Sequence, residues 1–463
     1  MKKILSSIMV AFLFISCQSG ATSASSSSSS GSTSEGGQNY NPQFIRGFDA
    51  SEVDFYEEKD NVKWKDTDGK EKDFFEILKA YGVNTVRLRI WNDPSQFSSS
   101  INTGDNTLER TVKMALRVKN AGLDLMLDFH YSDTWADPGR QIVPAAWKNL
   151  KSADEVASAL SEYTTTVLSA IKKQAGIVPR YVQVGNEINP GLLLHVSEDS
   201  NDNNNFSPFK FAGRSWADDS TGASGGDTIG SSGGDADGSS GADWDSNGNF
   251  VPNTMIKYLK AGASAVRAFD SSIKIVLHHA GGTWPDDSWF FDPVKKGGVP
   301  FDIIGYSFYP WETSGMTVQN LKEKIAFQKE RYGVDVMVCE CSSHWKDEGD
   351  LSAQKRTYKS MTDPKTGKVY SDLETGTDNA SQGGSTGSTG SSSGASSGAE
   401  PYVKGTVQNQ ANIIRHIIEE TASSGGLGVF VWGGDLYGNY RWGMFDASGC
   451  ALQSFAAFSQ PAL

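Results

Sequence analysis

The sequence predicts an α/β protein built as a single (β/α)8 barrel with low-complexity loop insertions. Three observations carry this. Short apolar segments alternate along the chain with segments whose apolar residues recur every three and four positions. The strand-like segments are apolar throughout rather than alternating, as in a parallel sheet covered on both faces. They number eight, which is the count that closes a barrel.

In chain order the expected strands are 44–48, 85–90, 123–129, 181–184, 273–277, 301–307, 334–339 and 427–432. Helical spacing lies between them, in Phe74-Phe75-Ile77-Leu78 and in residues 112–118, 156–171, 255–269, 321–332 and 413–418. Two stretches, 219–241 and 378–398, are almost entirely Ser, Gly, Thr, Ala and Asp. The strand–helix alternation resumes after each, so they are expected as disordered loops inside one catalytic-size domain spanning 41–463.

The N-terminus has the order of an export signal: Lys2 and Lys3, an apolar run from Ile4 to Ile15, then Ser16-Cys17. Phe14-Ile15-Ser16-Cys17 resembles a bacterial lipobox. Residues 1–17 are therefore expected to be a lipoprotein signal, Cys17 the lipid-bearing N-terminus of the mature chain, and the Ser/Gly-rich residues 18–40 a flexible tether. This reading places the protein outside the cytoplasm, anchored at the bacterial envelope or surface, touching membrane only through that lipid. No other stretch is long and apolar enough to span. The formal net charge of −13, with no Lys/Arg cluster, argues against a nucleic-acid partner. A monomer is expected. Beyond Cys17 the chain has Cys339, Cys341 and Cys450. That is no disulfide framework; if one bridge forms, Cys341 with Cys450 is the pairing to test first.

In such barrels the C-terminal strand ends face the site. Here those ends carry Asp49, the pair Arg87 and Arg89, Asp128 and His130, Asn186 and Glu187, His278 and His279, Tyr309, Glu340 and Trp432. Interior strand positions are ordinarily aliphatic, so this many ionisable groups at one end argues for a site. Trp91, Trp135, Trp284, Trp311, Trp345 and Trp432 lie at or just past strand ends. Indoles stack on the C–H faces of sugar rings, and polar floors meet their hydroxyls, so a polysaccharide suits the cleft. Glycoside hydrolysis needs two carboxyl groups flanking one bond. Glu187 after the fourth strand and Glu340 after the seventh are roughly opposite in an eight-strand barrel. Each residue also has a plainer reading: a helix cap or loop ion pair for either glutamate, satisfied barrel-core histidines for His130 and His278, a brace for its own strand at Asp128.

Several segments resemble one family: FIRGFDASEV (44–53), GVNTVRLRIWNDP (82–94), GLDLMLDFHYSDTWADPGRQ (122–141), VQVGNEINPGLL (182–193), FDIIGYSFYPW (301–311) and GVFVWGG (428–434). They resemble the arabinogalactan endo-β-1,4-galactanases of glycoside hydrolase family 53, within the clan of retaining (β/α)8 hydrolases. The resemblance implies Glu187 as general acid/base and Glu340 as nucleophile, about 5–5.5 Å apart. It implies Asn186 at the sugar 2-hydroxyl, Tyr309 and one of Arg87 and Arg89 holding Glu340 ionised, and Trp432 as the platform under the cleaved sugar. Asp49, His130, Trp91, Trp135 and His278 would line the cleft, with β-1,4-galactan as the macromolecular partner and no cofactor.

The chain also departs from that family. Around Glu340 it reads Cys339-Glu340-Cys341-Ser342-Ser343-His344-Trp345 where Glu-Thr, an aromatic and Pro are usual. After the eighth strand it reads Trp432-Gly433-Gly434-Asp435-Leu436 in place of Trp-Glu-Pro-Ala-Trp. The Asp-rich spacing with which bacterial relatives hold calcium is absent from 341–352, so no metal is expected. Two alternatives stay open: a related clan activity on another β-linked polysaccharide, of mannanase or arabinosidase type, and a glycan-binding surface lipoprotein that does not cut.

Overall fold

A computed structural model describes residues 44–96, 106–195, 252–281, 286–311, 316–378, 399–438 and 440–459. The expected signal and tether (1–17 and 18–40, with Cys17), the 219–241 insert and Trp284 lie outside the described residues.

Seven strands follow in order: β1 (Ile45–Asp49), β2 (Thr85–Ile90), β3 (Asp124–Phe129), β4 (Tyr181–Val184), β5 (Lys274–His279), β6 (Ile303–Phe308) and β7 (Asp335–Cys341). A hairpin of β8 (Thr375–Asp378) and β9 (Glu400–Val403) comes next, then β10 (Gly428–Val431). Strands β1 to β7 and β10 close into a parallel barrel, each beside its chain neighbour and β10 between β7 and β1. The expected strands are all present, shifted by no more than two residues at an end. The helices are α1 (Val53–Lys59), α2 (Phe74–Ala80), α3 (Leu108–Ala121), α4 (Ala153–Ala170), α5 (Asn253–Phe269), α6 (Ser288–Lys296), α7 (Val318–Tyr332), α8 (Ser352–Ser360) and α9 (Val407–Ser423). Thr107, Ser152, Thr317 and Thr406 start α3, α4, α7 and α9, each hydroxyl accepting from a backbone N–H of the first turn that has no helical partner.

Two apolar layers hold this arrangement. Between strands and helices runs a continuous shell that includes Phe48, Leu125, Leu127, Phe129, Val184, Leu277, Phe308, Val338 and Cys341. Inside the barrel, Ile45, Met126, Tyr181, Val276, Ile303, Met337, Cys339 and Phe430 form a floor. Above the floor the inward-facing residues turn polar, and the site stands there.

The path of β7 sets the position of one key side chain. Its register with β6 jumps from Tyr306↔Val338 to Ser307↔Glu340, and its register with β10 shifts over the same residues. Strict alternation would send Glu340 to the helix side, because Cys339 before it already points inward. The extra residue of this bulge lets Glu340 enter the barrel as well.

At three points the structure adds to or departs from the sequence reading. Cys341 and Cys450 are not bridged, and Cys339, Cys341 and Cys450 are all free thiols. Cys341 packs in the shell, whereas Cys450 pairs with Lys65 and its thiol donates to the Asp66 carbonyl at 3.2 Å. The second insert does not begin at Asp378, which pairs with Glu400 in the hairpin and receives Lys355 of α8 at 3.0 Å; the rest of 378–398 lies outside the described residues. The sequence pattern does not reveal α1, α6 and α8, which are short: α1 has seven residues, α6 nine with Pro293 inside, and α8 nine, SAQKRTYKS.

Candidate active site

The turn after β4 is held in unusual backbone geometry. Gly185 has φ +84°, and a Cβ there would lie 2.6 Å from Ile188 Cγ2. Glu187 itself has φ +48°, a region that costs a residue with a side chain energy and is found where function requires it. Neighbouring strands supply the restraint. Gly185 N–H donates to the Phe129 carbonyl (3.1 Å) and Ile188 N–H to the His278 carbonyl (2.9 Å), while Gln141 Nε2 donates to the Asn186 carbonyl (2.8 Å).

The cation at the centre is Arg87, wholly buried. Its Nη1 is 2.8 Å from Asp49 Oδ2. Its Nη2 is 2.7 Å from Asp128 Oδ2, 2.8 Å from Glu340 Oε1 and 2.8 Å from Asn186 Oδ1. Tyr309 donates its hydroxyl to Glu340 Oε2 at 2.6 Å. Of the two arginines, Arg87 meets Glu340; Arg89 pairs with Glu52 and stands over Trp135, its Cζ 3.9 Å from the ring centre. Burial raises the Glu340 carboxyl above its ordinary value, Asp128 and Asp49 adding to the rise while Arg87 and Tyr309 oppose it. The sequence reading expected the guanidinium to lower this carboxyl, but Arg87 is shared among three carboxylates and desolvation wins. Asp128 ends lower than usual, because Arg87 and His130 together outweigh its burial. Asp435, also buried, is pushed well up by desolvation and then by Asp49 and Glu52.

The histidines are networked. His130 Nδ1 accepts from Trp91 Nε1 (3.1 Å) and from Ala136 N–H (2.9 Å), so Nε2 carries the proton and faces Asp128 Oδ2 at 3.1 Å. His278 Nδ1 lies 2.7 Å from Asn186 Oδ1, and its Nε2 lies 3.0 Å from Ser307 Oγ. Burial lowers both imidazoles, His278 the further. His279 points the other way, into Phe290, Phe291 and Tyr306 behind the barrel.

Aromatic side chains line the strand ends in sequence. Trp135 meets Trp432 edge-on (6.2 Å), Trp432 meets Tyr309 (6.1 Å), and Tyr309 meets Trp311 (5.3 Å), which stacks nearly parallel on Trp442 (5.4 Å, 6°). Trp135, Trp311 and Trp432 are partly open. Trp91 is fully buried behind Trp135, and Asp49, Arg87 and His278 are likewise buried. These four stand behind the cleft surface and reach it through neighbours. Trp345 anchors a loop, donating Nε1 to the Tyr440 carbonyl (2.8 Å).

Sequence reasoning missed Gln141, Gln183, Ser307, Glu52 and Asp435. Gln183 and Ser307 were detectable as polar residues inside apolar strands. Ser307 Oγ lies 2.5 Å from Glu187 Oε1, and Ser307 is the register partner of Glu340. The two glutamates thus meet at one position of β6, Glu340 from the neighbouring β7 and Glu187 from the end of β4, two strands away on the other flank.

Comparison with known proteins places this geometry. The sequence matches the profile of Glycosyl hydrolase family 53 over residues 45–217 and 239–380. The chain belongs to glycosyl hydrolase family 53. Among family members, it is similar to the Endo-beta-1,4-galactanase of Bacillus subtilis (strain 168), 30% identical over 404 residues, 85% of this chain and 71% of that one. It is similar to the Arabinogalactan endo-beta-1,4-galactanase of Thermothelomyces thermophilus, 28% identical over 90% of this chain and 98% of that one. The Ignisphaera aggregans GH53 catalytic domain superposes with a TM-score of 0.61 at 26% identity, covering 90% of this chain and 95% of that one. This family-53 chain is thus a glycoside hydrolase on a (β/α)8 barrel.

Proposed function

We infer that the protein is an endo-acting, retaining hydrolase of β-1,4-galactosidic linkages in galactan and type I arabinogalactan. The observation that carries this is the convergence of Glu187 and Glu340 at Ser307, in a family whose compared members bear galactanase names. Glu340, aimed by Arg87 and Tyr309, attacks the anomeric carbon; the bond to the leaving oxygen breaks, and that oxygen takes the Glu187 proton. Water then attacks the same carbon, gives its proton to Glu187 and releases Glu340. Two inversions leave the configuration unchanged. Asn186 holds the sugar 2-hydroxyl, and Trp432 and Trp135 provide apolar faces for the ring.

Product analysis on linear β-1,4-galactan, β-1,4-mannan and arabinan tests the reading. Oligogalactosides with β configuration at the first-formed reducing end are expected from galactan. Cleavage of mannan or arabinan in place of galactan, or an α product, would overturn it.

We also propose that Cys17 carries lipid and that residues 18–40 tether the enzyme to the envelope, on the strength of Phe14-Ile15-Ser16-Cys17 after an apolar run. In a bacterial host, Cys17→Ser is expected to move the enzyme from the membrane fraction to the soluble fraction with its activity intact. Unchanged fractionation would contradict lipidation.

A further inference from the structure

We propose that His278 and Ser307 are positioning residues that keep the proton on Glu187 in the resting enzyme. The inference rests on the reading of Glu187 as general acid, and hydrogen-bond valence carries it. Asn186 has one possible orientation: its Nδ2 donates to the Ala136 carbonyl (2.8 Å), and its Oδ1 accepts from Arg87 Nη2, which can only donate. Gln183 Nε2 lies 2.5 Å from Asp128 Oδ1, 2.8 Å from the same Asn186 Oδ1 and 3.2 Å from His278 Nδ1, so its two hydrogens go to the two nearer oxygens. His278 Nδ1, 2.7 Å from that oxygen, is attracted only if it bears the hydrogen. The buried imidazole holds one proton, so Nε2 is bare and accepts from the Ser307 hydroxyl at 3.0 Å. Ser307 has a single O–H. With it spent on His278, Ser307 Oγ meets Glu187 Oε1 as an acceptor, and a 2.5 Å contact there needs the hydrogen on the carboxyl.

Donation runs one way from Glu187 through Ser307 and His278 to Asn186 Oδ1, where it meets the N–H of Arg87. A deprotonated Glu187 would require Ser307 to turn toward it. His278 Nε2 would then lose its donor, or the imidazole would shift its hydrogen to Nε2 and set a bare Nδ1 against Asn186 Oδ1. Either state leaves a buried polar contact unmade, which disfavours the carboxylate. When Glu187 has given its proton to the leaving oxygen, the same penalty favours its recovery from the attacking water. Arg87 thus serves both glutamates: its Nη2 touches Glu340 and fixes the Asn186 oxygen on which the chain from Glu187 ends.

The charged and titratable groups facing this chain are Arg87 of β2, Asp128 of β3 and His130 just beyond it, His279 of β5, and Glu340 with the Cys339 thiol of β7. Asp128 favours a charged His278, but burial and Arg87 outweigh it.

The test is the pH dependence of kcat/KM on galactan. In Ser307→Ala the acid loses the acceptor of its proton, so the alkaline limb is expected to move to lower pH by about one unit, the equivalent of one hydrogen bond. Ser307→Thr keeps a hydroxyl and is expected to restore the wild-type limb. A purely structural role would lower activity at every pH and leave the limb in place; an unmoved or raised limb overturns the proposal. A measurement on the unaltered protein covers a variant that does not fold: the nitrogen NMR shifts of His278 are expected to show Nδ1 protonated and Nε2 bare, and the opposite tautomer overturns the relay. Full activity in Glu187→Ala would instead remove the acid assignment itself.

Discussion

Glu340→Ala is expected to cut kcat on galactan by at least about 10³-fold, and Glu187→Ala by a similar factor, because each deletes a group the covalent route requires. The two losses differ in kind, and an aryl galactoside with a good leaving group separates them. Such a leaving group needs no proton, so Glu187→Ala should still form the glycosyl-enzyme and release a burst of phenol. The second step then stalls for want of a base. Glu340→Ala has no nucleophile and should give no burst on any substrate. A burst from Glu340→Ala, or its absence from Glu187→Ala, would exchange or cancel the assignments. The protein should remain folded in both cases, since Arg87 keeps Asp49 and Asp128 as partners after Glu340 is lost.

Arg87→Met has the second large effect, and it acts on stability and catalysis together. The substitution leaves Asp49, Asp128 and Glu340 buried without their shared cation. Removing one member of a buried ion cluster costs about 3–5 kcal/mol, which denaturant unfolding would read as a large fall in midpoint. The pH profile follows the sign of the lost interaction. Arg87 lowers the Glu340 pKa, so without it that pKa rises further. The nucleophile must be ionised, and the acid limb of kcat/KM therefore moves to higher pH. Stability within about 1 kcal/mol of wild type, with an unmoved acid limb, would show that Arg87 holds neither the barrel nor the nucleophile.

Much of the fold was legible because the barrel strands are buried on both faces and read as bare apolar runs. Thr85–Ile90 and Tyr181–Val184 match to the residue. The hairpin β8–β9 did not show: its strands TGTD and EPYV are four residues each and send one side chain, Val403, into the core, while Lys355 bridges Asp378 and Glu400. The strand ends located Asn186, Glu187, Tyr309, Glu340 and Trp432. Spacing alone could not separate Arg87 from Arg89, since both lie on one face of β2, and only the third dimension gives one to Glu340 and the other to Glu52. Trp91 read as a cleft residue because it follows a strand end, whereas its indole N–H is spent on His130 inside the wall. Ser307 is visible as a polar residue in an apolar strand, but its two partners, Glu187 and His278, are not visible in the sequence.

The bulge in β7 has a mechanical corollary. Two successive side chains enter the barrel there, so the floor and the reacting carboxylate are adjacent storeys carried by one strand. The lower storey has little clearance: Cys339 Sγ would lie 2.2 Å from a Cβ placed on Gly305 of the neighbouring strand β6. The bare backbone of Gly305 thus leaves the room that the thiol fills one residue before Glu340.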